Sequence, residues 1–244
     1  MKQSTIRLPV AGMTAAFSVL GFFLRLWQWR YADAAGRLWL GSPGSIAVFA
    51  ATGVFLFALI LLCRRGPVEK NYNFPAGLSS GAGYLAGGAL LTLVSVLSLV
   101  QQSVSIAGIL GCVCGVVTVR HGLLRRKGKA PNLLASCLIV VYLVVLVISD
   151  FKNWSTDPAL PDYCFKLLAL LCAMLALFHV AGFSGGLGKR RTAAFWCAAG
   201  VYFCAICLAD RGGLQPVLSW LAYAALLLQN LWCLLSGQTP EAGE

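Results

Sequence analysis

Arg120-His121-Gly122-Leu123-Leu124-Arg125-Arg126-Lys127-Gly128-Lys129-Ala130-Pro131 lies at the centre of a chain of 244 residues. Positions 120–129 hold five Lys or Arg and no acid. Four long apolar stretches precede this run and four follow it. Clustered ammonium and guanidinium groups resist transfer through a bilayer. A loop of this kind therefore stays on the side where it was made and orients the segments around it. Arg120, Arg125, Arg126, Lys127 and Lys129 are read as topology-determining residues, and His121 as a solvated member of the same loop.

Composition sets the class. Hydrophobic residues make up 59% of the chain, charged residues 11%, and the mean hydropathy is +0.80. A soluble domain carries roughly 25% charged residues, and less than half of that cannot cover a water-facing surface. The apolar stretches are continuous and lack the alternation of barrel strands. The expected fold class is all-α, a polytopic membrane helix bundle with the lipid bilayer as its surroundings. The net charge of +11 does not point to nucleic acid. The basic residues sit in short connections between apolar stretches, as the positive-inside rule requires.

A span needs about 20 mostly apolar residues. The apolar cores are 8–24, 45–63, 83–100, 103–119, 133–149, 167–183, 192–209 and 215–236, which predicts eight transmembrane helices. Arg25, Trp27 and Trp29 extend the first at the interface, where long cationic stems and indole rings reach the headgroups. Met1–Arg7 with the first stretch resembles a secretory signal. Arg25 and Arg30 separate the Ala32-x-Ala34 pair from the apolar region, so the stretch is read as a retained span. No charge occurs between Asn71 and Val119, and Gln101-Gln102-Ser103 is the one polar break, which predicts a tight hairpin.

Alternate connections share a side. One side has Lys2, Arg7, Arg64, Arg65, Lys70, the five central residues, Lys189, Arg190 and Arg191; the other has Arg25, Arg30, Arg37, Lys152, Lys166 and Arg211. That imbalance places both termini in the cytoplasm and the chain in the plasma membrane. Residues 237–244 are expected to be a disordered cytoplasmic tail.

Residues 1–119 and 132–236 read as two four-helix halves joined by the basic connector 120–131. With an even number of spans each, duplicated halves would be parallel. Gly83-x-x-x-Gly87 and Gly111-x-x-x-Gly115 bring helix backbones together, and close packing drives helix association in lipid. The same faces leave a homodimer or another membrane protein open as partner.

Chemistry is sparse. The ten cysteines lie mostly within apolar stretches, where a thiol acts as a small hydrophobe. Gly182-Phe183-Ser184-Gly185-Gly186 matches a nucleophile-elbow pattern but follows a span rather than a strand. Gly185–Lys189 lacks the spacing of a phosphate loop. The chain is therefore not expected to be an enzyme, and no catalytic residue, metal or cofactor is assigned.

Two polar groups remain as candidates. His179, Gln229 and Asn230 form a candidate intramembrane polar site, with interhelical bonding the first reading of the two amides. Arg30, Asp33 and Arg37, with Trp27 and Trp29, form a candidate recognition patch outside the first span. The run Trp27-x-x-Arg30-x-x-Asp33-x-x-Gly36-x-Leu38, followed by further spans, resembles a group of uncharacterised multi-pass bacterial membrane proteins. That resemblance implies an eight-span layout and no activity. Two functions follow: a structural or partner membrane subunit, or a small-molecule permease with its site between the two halves. A closed, well-packed bundle would favour the first, and a polar cavity at mid-membrane lined by the third span of each half would favour the second.

Overall fold

The computed structural model describes residues 4–33, 38–64, 78–101, 105–127, 133–154 and 160–236. They form eight long helices. These are α1 (Ser4–Gln28), α2 (Pro43–Arg64), α3 (Leu78–Gln101), α4 (Ile106–Arg126), α5 (Leu133–Trp154), α6 (Leu160–Ser184), α7 (Arg190–Leu208) and α8 (Leu214–Ser236). Among the described residues there is no strand beyond one isolated bridge, Ala32 to Leu38. Seven of the helices, all but α5, are long and apolar enough to cross a bilayer. The 22 residues of α5 carry no charge before Asp150. The protein is a multi-pass helical membrane bundle.

Local chemistry explains several helix ends. Ser42 caps α2: its Oγ accepts from the Ser45 N–H at 3.2 Å, and Pro43 fills the first helical position, where no N–H is needed. The Ser105 side chain caps α4 by accepting from the Gly108 N–H at 3.1 Å. α3 ends at Gln101, α4 begins at Ile106 and the two pack tightly; residues 102–104 of the expected hairpin turn lie outside the described residues. The Gly182–Gly186 run is the end of α6. Leu187 N–H donates to Gly182 O at 2.9 Å and Gly186 N–H to Phe183 O at 3.2 Å, with Gly186 at φ 71°. This is a Schellman closure, which explains the glycines without any nucleophile.

The connector 120–131 needs correction. α4 continues through Arg126, so Arg120–Arg126 are helical rather than loop. His121 and Arg125 are buried, not solvated. His121 stacks on Tyr84 at 4.7 Å and 3°, and the Arg125 guanidinium lies 4.6 Å from the same ring. An apolar ring on α3 thus holds two polar side chains of α4, and arginine and leucine favour the helix that carries them. Arg120, Arg126 and Lys127 are exposed; Lys129 lies outside the described residues, as do residues 237–244 of the expected tail.

α7 is the most enclosed helix. Ala193, Cys197, Gly200, Cys204 and Cys207 on it are buried, with α1, α2, α6 and α8 around it. α3 packs on α4 and α8, α4 on α5, and α5 on α6. The first four helices therefore do not form a bundle of their own: α1 and α2 lie against α7, and α3 against α8. Exchange of parallel halves would turn α1·α7 into α5·α3 and α3·α8 into α7·α4. Neither of those pairs packs extensively among the described residues.

Glycine sets the closest approaches. A Cβ on Gly88 would lie 2.8 Å from Val119 N and 2.9 Å from Gly115 O, and one on Gly87 2.9 Å from Ala222 O. Only glycine lets α3 sit at these distances from α4 and α8. The outward faces carry large apolar side chains such as Val54, Phe57, Val116, Ile148 and Phe178, which suits lipid contact.

Candidate binding cavity

Consecutive helices run in opposite directions. Gln28 at the end of α1 meets Ser45 at the start of α2, Gly81 at the start of α3 meets Gly122 at the end of α4, and Arg190 at the start of α7 meets Leu234 at the end of α8. Gly111 and Cys114 of α4 meet Tyr142 and Leu138 of α5 in reverse order. One end of the bundle thus gathers the ends of α1, α3, α5 and α7 and the starts of α2, α4, α6 and α8. The described acids Asp33, Asp150 and Asp210 all lie at this end, and Arg64, Arg125, Arg126, Lys127, Lys189, Arg190 and Arg191 at the other.

At the acidic end, helices α3, α4, α5, α6 and α8 surround a half-open cavity of about 320 Å³. α3 supplies Ser95 and Ser98, and α5 supplies Tyr142 and Asp150. Lys166 comes from α6, and α8 adds Gln215, Ser219, Trp220 and Tyr223. Ala107, Gly108 and Pro216, at the starts of α4 and α8, place the mouth at this end of the bundle. The tyrosines are deepest, with Tyr223 Oη donating to Tyr142 Oη at 3.5 Å. Ser95 and Ser219 donate to their own helices, at Leu91 O (2.8 Å) and Gln215 O (3.0 Å). Their oxygens remain able to accept.

Charge is held at the rim. Asp150 lies one residue past the apolar stretch 133–149. The Lys166 ammonium lies 3.8 Å from Asp210 Oδ2 and 5.2 Å from the Tyr163 ring. Asp210 in turn accepts from Arg25 Nε at 2.7 Å, and both of those side chains are almost fully buried. The Arg25 guanidinium also donates to Gln28 Oε1 at 2.8 Å and lies near the Trp29 and Phe165 rings, at 5.3 and 5.2 Å. Gln28 Nε2 continues to Ser45 Oγ at 2.8 Å. One polar chain thus ties α1, α2, α6 and the α7–α8 turn together beside the cavity.

No protein family, no curated protein and no solved structure matches the chain. The site is accordingly argued from its own geometry.

The expected recognition patch is described only in part. Arg30 and Asp33 are exposed, and Arg37 lies outside the described residues. Trp27 packs edge-on to Tyr31 at 5.6 Å. Trp29 instead belongs to the Arg25 cluster, with Arg211 5.8 Å from its ring. Two residues of the expected intramembrane site bond between helices. Gln229 Oε1 accepts from Gly83 N–H at 2.9 Å, and Asn230 Oδ1 accepts from Tyr84 Oη. Both amides therefore join α8 to α3, the interhelical use expected of them. His179 is half-buried and edge-on to Phe178.

Sequence reasoning passed over Arg25, Asp210, Asp150 and Lys166 as a group. Each lies just beyond an apolar core, so the absence of charge within the cores concealed them. A signal was present: Asp33, Asp150, Asp157, Asp162 and Asp210 all fall on the side with fewer basic residues.

Proposed function

We propose that this protein is a small-solute permease of the plasma membrane, with α5 as its eighth span. Both termini and the strongly basic end are cytoplasmic, and the cavity opens to the opposite side. The single observation that carries this reading is the polar cavity walled by α3 and α4 of the first half and by α5, α6 and α8 of the second. Its volume is at the lower end of the roughly 300–1,000 Å³ typical of small-molecule sites. The cavity favours a permease over a partner subunit, which needs no internal polar space. It departs from the expected cavity in two ways: of the two third spans only α3 lines it, and its mouth lies among helix ends at the acidic side rather than at mid-membrane.

The apolar cores contain no acid, whereas ion-coupled carriers place ionisable groups within the membrane. The reading is therefore a facilitator that binds and releases its solute unchanged.

The test is uptake of a defined mixture of small polar solutes into proteoliposomes. Entry above protein-free vesicles is expected, and Ser98→Trp should abolish it by filling the cavity. Uptake no greater than in protein-free vesicles would return the chain to the partner-subunit reading. Reporter fusions at Lys129 and at the C-terminus should both read cytoplasmic; an external reading at either contradicts the threading.

A further inference from the structure

Resting on the permease reading, we infer that the cavity takes a small zwitterion, with its ammonium at Asp150 and its carboxylate at Lys166. The first ground is charge. Four ionic groups lie at this end of the bundle: Asp150 and Lys166 line the cavity, and Arg25 and Asp210 lie behind Lys166. Arg25 and Asp210 are in direct contact at 2.7 Å and nearly inaccessible, so they neutralise each other within the wall. Asp150 and Lys166, on neighbouring helices, are the two that line the cavity itself. Their charges sum to zero.

A site with low-dielectric walls penalises any ligand that leaves an uncompensated charge inside. A simple amine would pair with Asp150 and add a positive charge beside Lys166. A simple carboxylate would pair with Lys166 and add a negative charge near Asp150 and Asp210. A molecule bearing both groups leaves the total unchanged and gives each rim charge a partner.

The second ground is the lining. Tyr142, Trp220 and Tyr223 place aromatic rings in the same space as Asp150. Aromatic faces attract ammonium groups and resist carboxylates. Lys166 is held by Asp210 only at 3.8 Å, outside hydrogen-bond range, and keeps its donors for a ligand oxygen. The volume of about 320 Å³ accommodates a small amino acid or betaine.

The test is calorimetric titration of the purified full-length chain with five probes: glycine, alanine, ethylamine, propionate and acetamide. Glycine or alanine should bind, with ethylamine, propionate and acetamide at least tenfold weaker. Asp150→Asn and Lys166→Gln should each weaken zwitterion binding at least tenfold, whereas the charge-conserving Asp150→Glu and Lys166→Arg should retain it. Equal or tighter binding of ethylamine, propionate or acetamide overturns the zwitterion assignment, as does wild-type affinity in both charge-removing variants. Should a neutralised variant fail to fold, the probe series on the unaltered protein still decides. If none of the five binds while Ser98→Trp abolishes uptake of the solute mixture, the zwitterion fails and the permease stands. If none binds and uptake does not exceed that of protein-free vesicles, both fail.

Discussion

The two ends of the α3–α8 interface differ. Near the basic end, Gly83 and Gly87 bring α3 onto Gln229 and Leu226 of α8 with no space between them. There Gln229 and Asn230 bond directly to α3. Near the acidic end, Ser95 and Ser98 of α3 face Ser219, Trp220 and Tyr223 of α8 across the cavity. The same helix pair is sealed by glycine and amide contacts at one end and holds open polar space at the other. Residues that let backbones touch make a seal, and hydroxyl and aromatic side chains at the same interface line a vestibule.

The largest expected effect lies at the open end, which depends on buried charge. Arg25→Met leaves Asp210 with Lys166 alone as its ionic partner, and breaking a buried pair costs about 3–5 kcal/mol. Thermal unfolding in detergent should show the loss, and the double variant Arg25→Met/Asp210→Leu should recover much of it. An unchanged midpoint for Arg25→Met would remove charge as the element holding this end.

At the sealed end the cost is steric. Gly87→Ala sets a Cβ against Leu226 and the Ala222 carbonyl of α8, and overpacking of this kind costs about 1–3 kcal/mol. Gly53 has nothing within 4 Å of its Cβ position, so Gly53→Ala should cost nothing by the same measurement. Equal behaviour of the two variants would break the distinction between sealed and exposed glycines. Tyr84→Phe removes the donor to Asn230 Oδ1, which should cost about 1 kcal/mol.

The most specific effect belongs to Asp150, which lines the cavity together with Lys166, Tyr142 and Tyr223. Asp150→Asn should weaken binding of glycine while moving the unfolding midpoint in detergent less than Arg25→Met does. A loss of stability as large as that of Arg25→Met would make Asp150 a part of the structural charge cluster instead.

Much of the architecture was legible because partitioning into lipid is a property of segments. The apolar cores 45–63, 83–100 and 133–149 lie wholly within α2, α3 and α5. The glycine spacing on α3 and α4 marked a seam before any contact was known. The end of α4 was misread because positive charge marks a side of the membrane, not the end of a helix. Arg125 can lie over Tyr84 inside the bundle while Arg126 beside it is exposed. The cavity was not legible at all. It depends on which faces of five helices meet, and apolar periodicity does not encode that pairing. Asp150 and Lys166 are 16 positions apart and Arg25 and Asp210 are 185 apart, so no local pattern joins them.

The most direct test of a bundle sealed at one end and water-filled at the other is labelling by a membrane-impermeant thiol reagent. Ser98→Cys should gain one label over the unaltered protein, and only from the side opposite the basic residues. Leu226→Cys, in the glycine seal, should gain none from either side. Absence of label at position 98, or equal labelling at 98 and 226, would contradict the account.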